Sequence, residues 1–272
     1  MVKNQRGTTH IIVFIVGILV TGIVGFAAWR ITHSDDNRNM AKQSEATQAK
    51  KSTNNEPLPL KSIGFHLDFY NATTKRAGDI EFSDTLKKVI LSDPIYHKII
   101  VSDFGIQDKR SPNDPAKRNV QPTFILPLGT KVLAPADSMV VKVEKLYSND
   151  WTIWFAQENE SQWVYETEHV DNPTVRVGDT VKAGDIVAEI SSHDSNHHPG
   201  FGVLEIGLLY TGQNQPAHYC PYAYLDASIK DDIGKKFTTF YQAWEEYVGD
   251  TTVYSQESYA LPGCANLDPV QG

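Results

Sequence analysis

The sequence predicts a mainly β protein that carries a helix near each end of the chain. Three patterns predict this class: an uncharged apolar run over residues 10–29, short alternating apolar runs between 63 and 209, and apolar residues spaced by three and four over 229–247. Alternation with a period of two is typical of half-buried strands, whereas spacings of three and four place side chains on one face of a helix. We therefore expect a β core closed by a C-terminal amphipathic helix and preceded by one N-terminal transmembrane helix.

The N-terminal apolar run is long enough to cross a membrane. Nineteen consecutive residues, 11–29, carry no charge, and at about 1.5 Å per residue they span about 30 Å, the thickness of the hydrocarbon core. A cleaved signal peptide is the alternative, because residues 25–27 offer a small-x-small cleavage site. The run is longer than a usual signal core and ends at Trp29, which suits the membrane interface. Two basic residues within 1–9 place that segment in the cytoplasm and everything after the helix outside it.

Charge divides the chain into a basic N-terminal part and an acidic outer part. The whole chain holds 25 Lys and Arg against 33 Asp and Glu. Residues 1–61 hold 8 basic and 4 acidic residues, which leaves 17 basic and 29 acidic residues for 62–272. Residues 30–61 are polar and almost free of aromatic side chains, so they are predicted to be a flexible linker. A domain with a net charge near −12 repels polyanions, so nucleic acid is excluded as a partner. Peptides, sugars and proteins remain as candidate partners.

The sequence of the outer part predicts strands followed by a helix. We assign 62–121 to an N-terminal β-rich extension, 122–227 to the β core, and 228–272 to a C-terminal helix with a tail. The strand signal, short apolar runs bounded by turn residues, is found at 63–70, 98–104, 129–133, 139–145, 151–155, 162–168, 186–190 and 201–209.

Two cysteines, Cys220 and Cys264, flank the predicted C-terminal helix. An even pair outside the cytoplasm predicts a disulfide that fixes this helix to the β core, whereas two unpaired thiols would be expected in a reducing compartment. Closing a loop of about 44 residues stabilises the fold by about 4 kcal/mol.

Several motifs occur in a fixed order between residues 127 and 225. The segments 127–141 (PLGTKVLAPADSMVV) and 175–190 (VRVGDTVKAGDIVAEI) are accompanied by YETEHV at 165–170, VLEI at 203–206 and CPYAYL at 220–225. This ordered set, about 100 residues of the chain, resembles the β core of the lysostaphin-type zinc endopeptidases with the duplicated hybrid motif, which cut the peptide crosslinks of bacterial cell walls. The resemblance implies an antiparallel β core and a groove for a wall peptide.

The resemblance also implies a zinc site whose ligands this chain lacks. A zinc peptidase needs three protein ligands and one open position for a water. The family's His-x-x-x-Asp pair aligns with Asn119 and Thr123, and its His-x-His aligns with Phe201 and Val203. His169 alone matches a catalytic-type position, which in the family assists catalysis without binding zinc. We therefore expect neither a bound cofactor nor hydrolysis. The alternative to a catalytic role for His169 is that of a structural histidine, hydrogen-bonded beside the groove.

A displaced metal site is the alternative. His193, Asp194, His197 and His198 form a His-rich loop whose imidazoles and carboxylate suit a divalent metal such as zinc. Adjacent side chains on an extended segment point to opposite faces, which disfavours joint coordination by His197 and His198. A solvated polar loop explains the same residues.

Three tryptophans are candidate binding residues. Trp151, Trp154 and Trp163 lie on two predicted strands around a turn. They would form a stacking surface for a sugar or peptide, or else half of the core, since aromatic side chains serve both purposes.

The sequence thus predicts a single-pass membrane protein whose outer domain is peptidase-like, non-catalytic, and binds a wall peptide or an envelope protein. The first alternative is an active zinc-dependent peptidoglycan endopeptidase with rearranged ligands. The second is a lipoyl-like membrane-fusion adaptor of an export system, because lipoyl domains share the Gly-Asp segment. Such adaptors usually interrupt that motif with long heptad helices, and no sustained heptad pattern occurs between residues 134 and 175.

Overall fold

The structure, a computed structural model, describes residues 56–92, 98–107, 113 and 117–271. The predicted cytoplasmic segment 1–9 and transmembrane segment 10–29 lie outside these residues. Within the described part of the chain, no helix has both the length and the apolar character needed to cross a membrane. The elements are β1 (Arg76–Ala77), β2 (Ile80–Glu81), α1 (Asp84–Ser92), β3 (Val101–Ser102), β4 (Thr123–Pro127), β5 (Lys131–Leu133), β6 (Ser138–Lys145), β7 (Trp151–Ala156), β8 (Trp163–Asp171), β9 (Thr180–Val181), β10 (Ile186–Ile190), β11 (Phe201–Tyr210), β12 (Ala217–His218), a 3₁₀ turn (Pro221–Tyr224), α2 (Lys230–Val248), a second 3₁₀ turn (Gln256–Ser258) and β13 (Val270–Gln271).

Eleven of these strands, β3 to β13, form one antiparallel sheet, which confirms the predicted mainly β fold. Its main path runs β13, β12, β11, β8, β7, β6, β9, while β10 pairs with β5 and with β8. The long strand β11 pairs with β8 along 205–210 and with β4 along 201–205. The sequence of β11 is nearly all apolar, and all of its residues except Glu205 and Tyr210 are buried, as expected of a strand covered on both faces.

The N-terminal extension packs on the core with less strand than the alternation of residues 63–70 predicts. Ile63, Phe65 and Leu67 are buried as expected, but Phe69 is 46% exposed and no ladder includes the segment. The chain turns at Gly64, whose φ is +84° and whose position leaves no room for a Cβ beside Ile206. The alternation therefore identifies the buried face, while the turn prevents a strand. The helix α1, which the strand signals do not predict, buries Leu86 and Ile90 one turn apart.

Residues 58–60, at the end of the predicted linker 30–61, pack against the β core. Leu60 is fully buried, its N–H donates to Tyr224 O at 2.8 Å, and Asp226 N donates to Leu60 O at 2.8 Å. The Tyr165 hydroxyl donates to Leu58 O at 2.7 Å. Residues 58–60 are thus fixed to the end of the β core.

The C-terminal helix is present as predicted, over Lys230–Val248 instead of 229–247. Its apolar face buries Phe237, Phe240 and Trp244, and the Trp244 ring packs edge-on against Phe82 with centroids 5.1 Å apart. The helix ends at Gly249, which adopts a left-handed conformation with φ 73°.

The predicted disulfide between Cys220 and Cys264 is formed, with Cα atoms 6.1 Å apart. It joins the residue before the first 3₁₀ turn to the loop after α2, so that the helix is enclosed between two linked segments.

A buried carboxylate lies beneath α2. Asp103 accepts hydrogen bonds from the Tyr241 hydroxyl at 2.6 Å and from the Tyr259 hydroxyl at 3.0 Å. Burial raises the pKa of Asp103 to about 7, and the two hydroxyl donors offset only part of that effect.

Candidate functional site

The candidate site begins at His169, where β8 changes its partner. Up to Glu168 the strand pairs with β11, and from Val170 onward it pairs with β10. His169 itself has φ 62°, a left-handed conformation that few residues other than glycine adopt. The regular alternation of side chains is therefore interrupted at this residue, and the strained backbone is an observation typical of functional sites.

His169 forms a buried pair with Asp150, the residue before β7. The two side chains are 7% and 6% exposed, and Nδ1 of His169 lies 2.9 Å from Oδ2 of Asp150. The same carboxylate accepts hydrogen bonds from the hydroxyl of Ser191, at 2.7 Å, and from that of Ser148. Three donors thus surround one buried carboxylate, so the pair is fixed in orientation.

The surrounding charges favour the ionised forms of both partners. Burial alone would raise the pKa of Asp150, but the hydrogen bonds from His169, Ser148 and Ser191 hold it well below its usual range. Burial alone would lower the pKa of His169, but Asp150, Glu205 and Glu168 together raise it above the ordinary value. Both shifts favour the imidazolium form of His169 and the carboxylate form of Asp150.

His193 joins this pair by ring stacking. Its ring lies parallel to that of His169, with centroids 3.6 Å apart and planes inclined by 4°. Ligand atoms of Asp150, His169 and His193 lie within 4.8 Å of one another, and no other such group is found among the described residues. The lone pairs of an imidazole lie in the ring plane, and two parallel stacked planes do not meet at one metal ion. In this arrangement the three residues do not offer the convergent ligands that tetrahedral zinc requires.

The rest of the His-rich loop does not join this group. His193 Nε2 lies 3.8 Å from Asp194 Oδ1. His197 is exposed and His198 is buried, with ring centroids 6.4 Å apart. Of the four residues that the sequence nominates as an alternative metal site, the structure brings His193 alone to His169.

Three glutamates cover the neighbouring sheet face. Glu205 on β11 lies directly opposite Glu168 on β8. Glu166, two residues earlier, is buried and accepts hydrogen bonds from Gln121 Nε2 at 2.9 Å, from Thr152 Oγ1 at 3.0 Å and from Trp154 Nε1. Burial, together with the charges of Glu166 and Glu205, raises the pKa of Glu168 to about 8. We call Gln121, Glu166, Glu168 and Glu205 the acidic face.

Comparison with known proteins identifies this sheet. Residues 123–214, which contain β4 to β11 and all of the acidic face except Gln121, match the profile of peptidase family M23. We call residues 123–214, which match this profile, the M23 domain. No curated protein matches the chain.

Solved structures similar to the M23 domain include several peptidases. LytU is 24% identical over 42% of this chain and 76% of its own, with a TM-score of 0.34. The catalytic domain of lysostaphin from Staphylococcus simulans is 21% identical over 36% of this chain and 71% of its own, with a TM-score of 0.30. The catalytic domain of the prophage-encoded M23 protein EnpA from Enterococcus faecalis is 21% identical over 44% and 85%, with a TM-score of 0.34.

The positions of the chain that align with the family's zinc ligands do not fit a metal. The two N–H groups of Asn119 Nδ2 are shared among three backbone oxygens, those of Ser102, Asp103 and Gln121, at 3.0, 3.1 and 2.6 Å. Thr123 donates its hydroxyl to Gln121 O at 3.1 Å, and Val203 is buried in the core. An amide and a hydroxyl held by backbone oxygens, with an aliphatic side chain, are not the nitrogen and carboxylate donors that zinc selects.

The three tryptophans lie in different surroundings. Trp154 contacts the acidic face through its hydrogen bond to Glu166. Trp163 packs against the rings of Tyr210 and Tyr219, with both centroids 4.8 Å away. Trp151 is half-buried and packs against the core. Of the three, Trp154 borders the candidate site through Glu166, and the stacking surface stays a prediction.

Sequence reasoning finds His169 and His193 but misses Asp150, Ser191 and the acidic face. Asp150 follows Ser148 and Asn149 in a polar turn, a pattern that marks a loop and not a site. The glutamates alternate along β8 as solvent-facing residues of a strand do, and the pairing of β8 with β11 is what reveals that Glu168 meets Glu205.

Proposed function

We propose that the M23 domain binds an envelope peptide without cleaving it. The main support for the proposal is the role of Asn119. The family places a metal ligand at this position, whereas the Asn119 amide forms hydrogen bonds to three backbone carbonyls and so stabilises the fold. Val203, at a second such position, is part of the core. A domain without a metal-activated water lacks the nucleophile of a zinc peptidase.

The remaining geometry supports binding. His169 is oriented by Asp150, and beside it lies a face with three carboxylates and the indole of Trp154. Such a surface offers hydrogen-bond acceptors and an aromatic contact to a peptide, while its charge repels polyanions. We further propose that the chain is tethered by residues 10–29 with the M23 domain outside the cytoplasm, since the sequence of that segment suits a membrane helix.

The test uses the full chain purified in detergent. Metal analysis should find less than one zinc per chain, and incubation with purified peptidoglycan should release no soluble peptides, while the chain should sediment with the insoluble wall. A lysostaphin-type peptidase that has its zinc ligands serves as the positive control for release. One tight zinc per chain together with chelator-sensitive release would overturn the proposal.

The second candidate is a zinc-dependent peptidoglycan endopeptidase with rearranged ligands. The cluster of Asp150, His169 and His193 favours it, because their ligand atoms lie within 4.8 Å. This candidate requires the stacked rings to rotate until their nitrogens converge. It predicts that bound zinc and activity are both lost in His193→Ala, whereas the non-catalytic proposal predicts no zinc in either protein.

A further inference from the structure

The strand β6 has an unpaired outer edge over residues 141–145. On one side the strand pairs with β7 as far as Lys145. On the other side it pairs with β9 at its first two residues, and Val140 exchanges backbone hydrogen bonds with Gly178 and Asp179. Among the described residues, no ladder and no backbone hydrogen bond occupies that side of 141–145. An open edge of this kind is a template for a further strand.

The backbone groups of Val143 and Lys145 point toward this open edge. Successive residues of a strand direct their N–H and C=O groups to alternate sides. The N–H of Leu146 donates to Asp150 O across the turn to β7, so Leu146 faces β7 while Lys145 and Val143 face away from it. The edge therefore presents backbone donors and acceptors at these two positions.

The side chains along the edge are self-complementary in charge. Lys142 and Glu144 stand on either side of Val143, are 36% and 56% exposed, and form an ion pair within the strand. When two copies of the edge run antiparallel about Val143, Lys142 of each copy lies opposite Glu144 of the other. Directly facing opposite charges stabilise a strand pair, and like charges destabilise it. A lysine on an edge strand usually opposes such pairing, but in this register it meets a carboxylate.

The open stretch also has the length and the centre that this register requires. Antiparallel pairing about Val143 places Val141 opposite Lys145, so it uses residues 141–145 of both copies. The segment bonded to Val140 closes the edge at one end, and the turn to β7 ends the strand after Lys145. A two-fold axis at Val143 therefore falls in the middle of the free stretch.

We propose that two copies of this chain associate through the open edge of β6, which pairs antiparallel with itself about Val143. Such an interface is isologous, since the same residues contribute from both copies. It joins two eleven-stranded sheets into one. Lys142 lies over the Trp154 ring, whose N–H is bonded to Glu166, so the edge charges and the acidic face share one side of the sheet. The acidic faces of both copies then lie on the same side of the joined sheet.

Charge exchange tests this interface in the full chain in detergent. Sedimentation equilibrium over a range of concentrations gives the dissociation constant of the dimer. Lys142→Glu and Glu144→Lys should each weaken the dimer at least about tenfold, because each places like charges at two facing positions. An equimolar mixture of the two variants should associate again, since two glutamates of one copy then face two lysines of the other. The double exchange within one chain should also restore the dimer.

Lys88→Glu is the matched control, because it makes the same charge change at an exposed position of α1. It should leave the dissociation constant unchanged. A natural chain that stays monomeric up to about 100 μM would overturn the proposal. So would a dimer that Lys142→Glu weakens no more than Lys88→Glu does, as expected of pairing through the predicted membrane helix, or a mixture of the two edge variants that stays monomeric.

Single cysteines locate the axis. Val143→Cys should form a disulfide between copies under mild oxidation, because facing residues of this type lie about 5.5 Å apart at Cα, within reach of a disulfide. Lys145→Cys is the comparison: it lies more than about 13 Å from its counterpart in this register, which is too far to bridge. The natural cysteines do not interfere, since Cys220 and Cys264 are bonded to each other. Equal cross-linking of the two variants, or cross-linking of neither, would overturn this register.

Discussion

His169 and His193 stack their imidazole rings in parallel, 3.6 Å apart, at the end of β8. His169 presents one ring edge to Asp150, so its face is left for His193. The loop after β10 thereby covers the buried ion pair through ring contact. The same two histidines that suggest a metal site by residue type contribute packing and electrostatics in this geometry.

Asp150 should control the protonation of His169. We expect Asp150→Asn to lower the pKa of His169, because the substitution removes the carboxylate that stabilises the imidazolium form. Histidine ring signals followed by NMR across pH 4 to pH 9 measure this pKa. Ser191→Ala is the matched control, since it removes a hydroxyl donor from Asp150 but keeps the charge. A His169 pKa that is unchanged in Asp150→Asn would contradict the pairing.

The stability of the fold should decrease as pH rises from about 4 to about 8, the interval between the ordinary and the raised pKa values of Asp103 and Glu168. The raised pKa of His169 means that the ion pair's contribution is present at pH values below the ordinary histidine pKa and is lost as pH rises through the folded-state value. Glu168, with its pKa raised from 4.5 to about 8, acts in the same direction, because the folded state holds its proton while the unfolded state releases it. Asp103, with its pKa raised from 3.8 to about 7, also stabilises the fold at low pH, and this contribution is lost as pH rises between those two values.

Glu168→Gln should flatten this dependence. It removes a like charge opposite Glu205, so we expect it to stabilise the fold at pH 8 by about 1 kcal/mol, or a few degrees in melting temperature, and to change little at pH 5. Thermal unfolding of both proteins at pH 5, 7 and 8 measures the effect, with Glu246→Gln as the control. Destabilisation at pH 8 would show that the carboxylate of Glu168 makes a favourable contact.

Asn119 should be important for folding. Asn119→Leu leaves three backbone carbonyls without their amide donor, so we expect a loss of about 2 kcal/mol in the free energy of unfolding. Asn214→Leu, the same change at an exposed position, should cost much less. Urea unfolding followed by tryptophan fluorescence compares the two, and equal effects would count against the structural use of Asn119.

The disulfide should stabilise the attachment of α2. Replacing both Cys220 and Cys264 by serine should lower the free energy of unfolding by about 4 kcal/mol, the entropy of a 44-residue loop. A reducing agent should destabilise the natural chain similarly and should not affect the double variant. If reduction destabilises the double variant as well, the agent acts elsewhere.

Local patterns predict the β core and α2 because their residues repeat with the period of the element. The same patterns fail at 63–70, where Gly64 turns the chain so that buried alternation occurs without a strand. The helix α1 is missed because nine residues with two buried positions give too short a repeat to recognise.

The site is less predictable than the fold, since it depends on pairing between distant strands. Residue types nominate His169, but Asp150 lies 19 positions away in a turn and meets it only through the register of β7 and β8. Likewise Glu168 and Glu205 are 37 positions apart, and neither is unusual in its own strand. Long-range register, which a single sequence does not display, therefore decides which polar groups become a site.

The attachment of Leu60 also determines how the domain would respond to mechanical tension. A pull on the chain before residue 56 would act first on the bond between the Tyr165 hydroxyl and Leu58 O, and next on the parallel bridge between Leu60 and Leu225. Load would then pass along the chain to Lys61 and Ser62, whose N–H groups both donate to Pro135 O. Because Tyr165 lies in β8 together with Glu168 and His169, the strand that carries the candidate site would bear the load from the start.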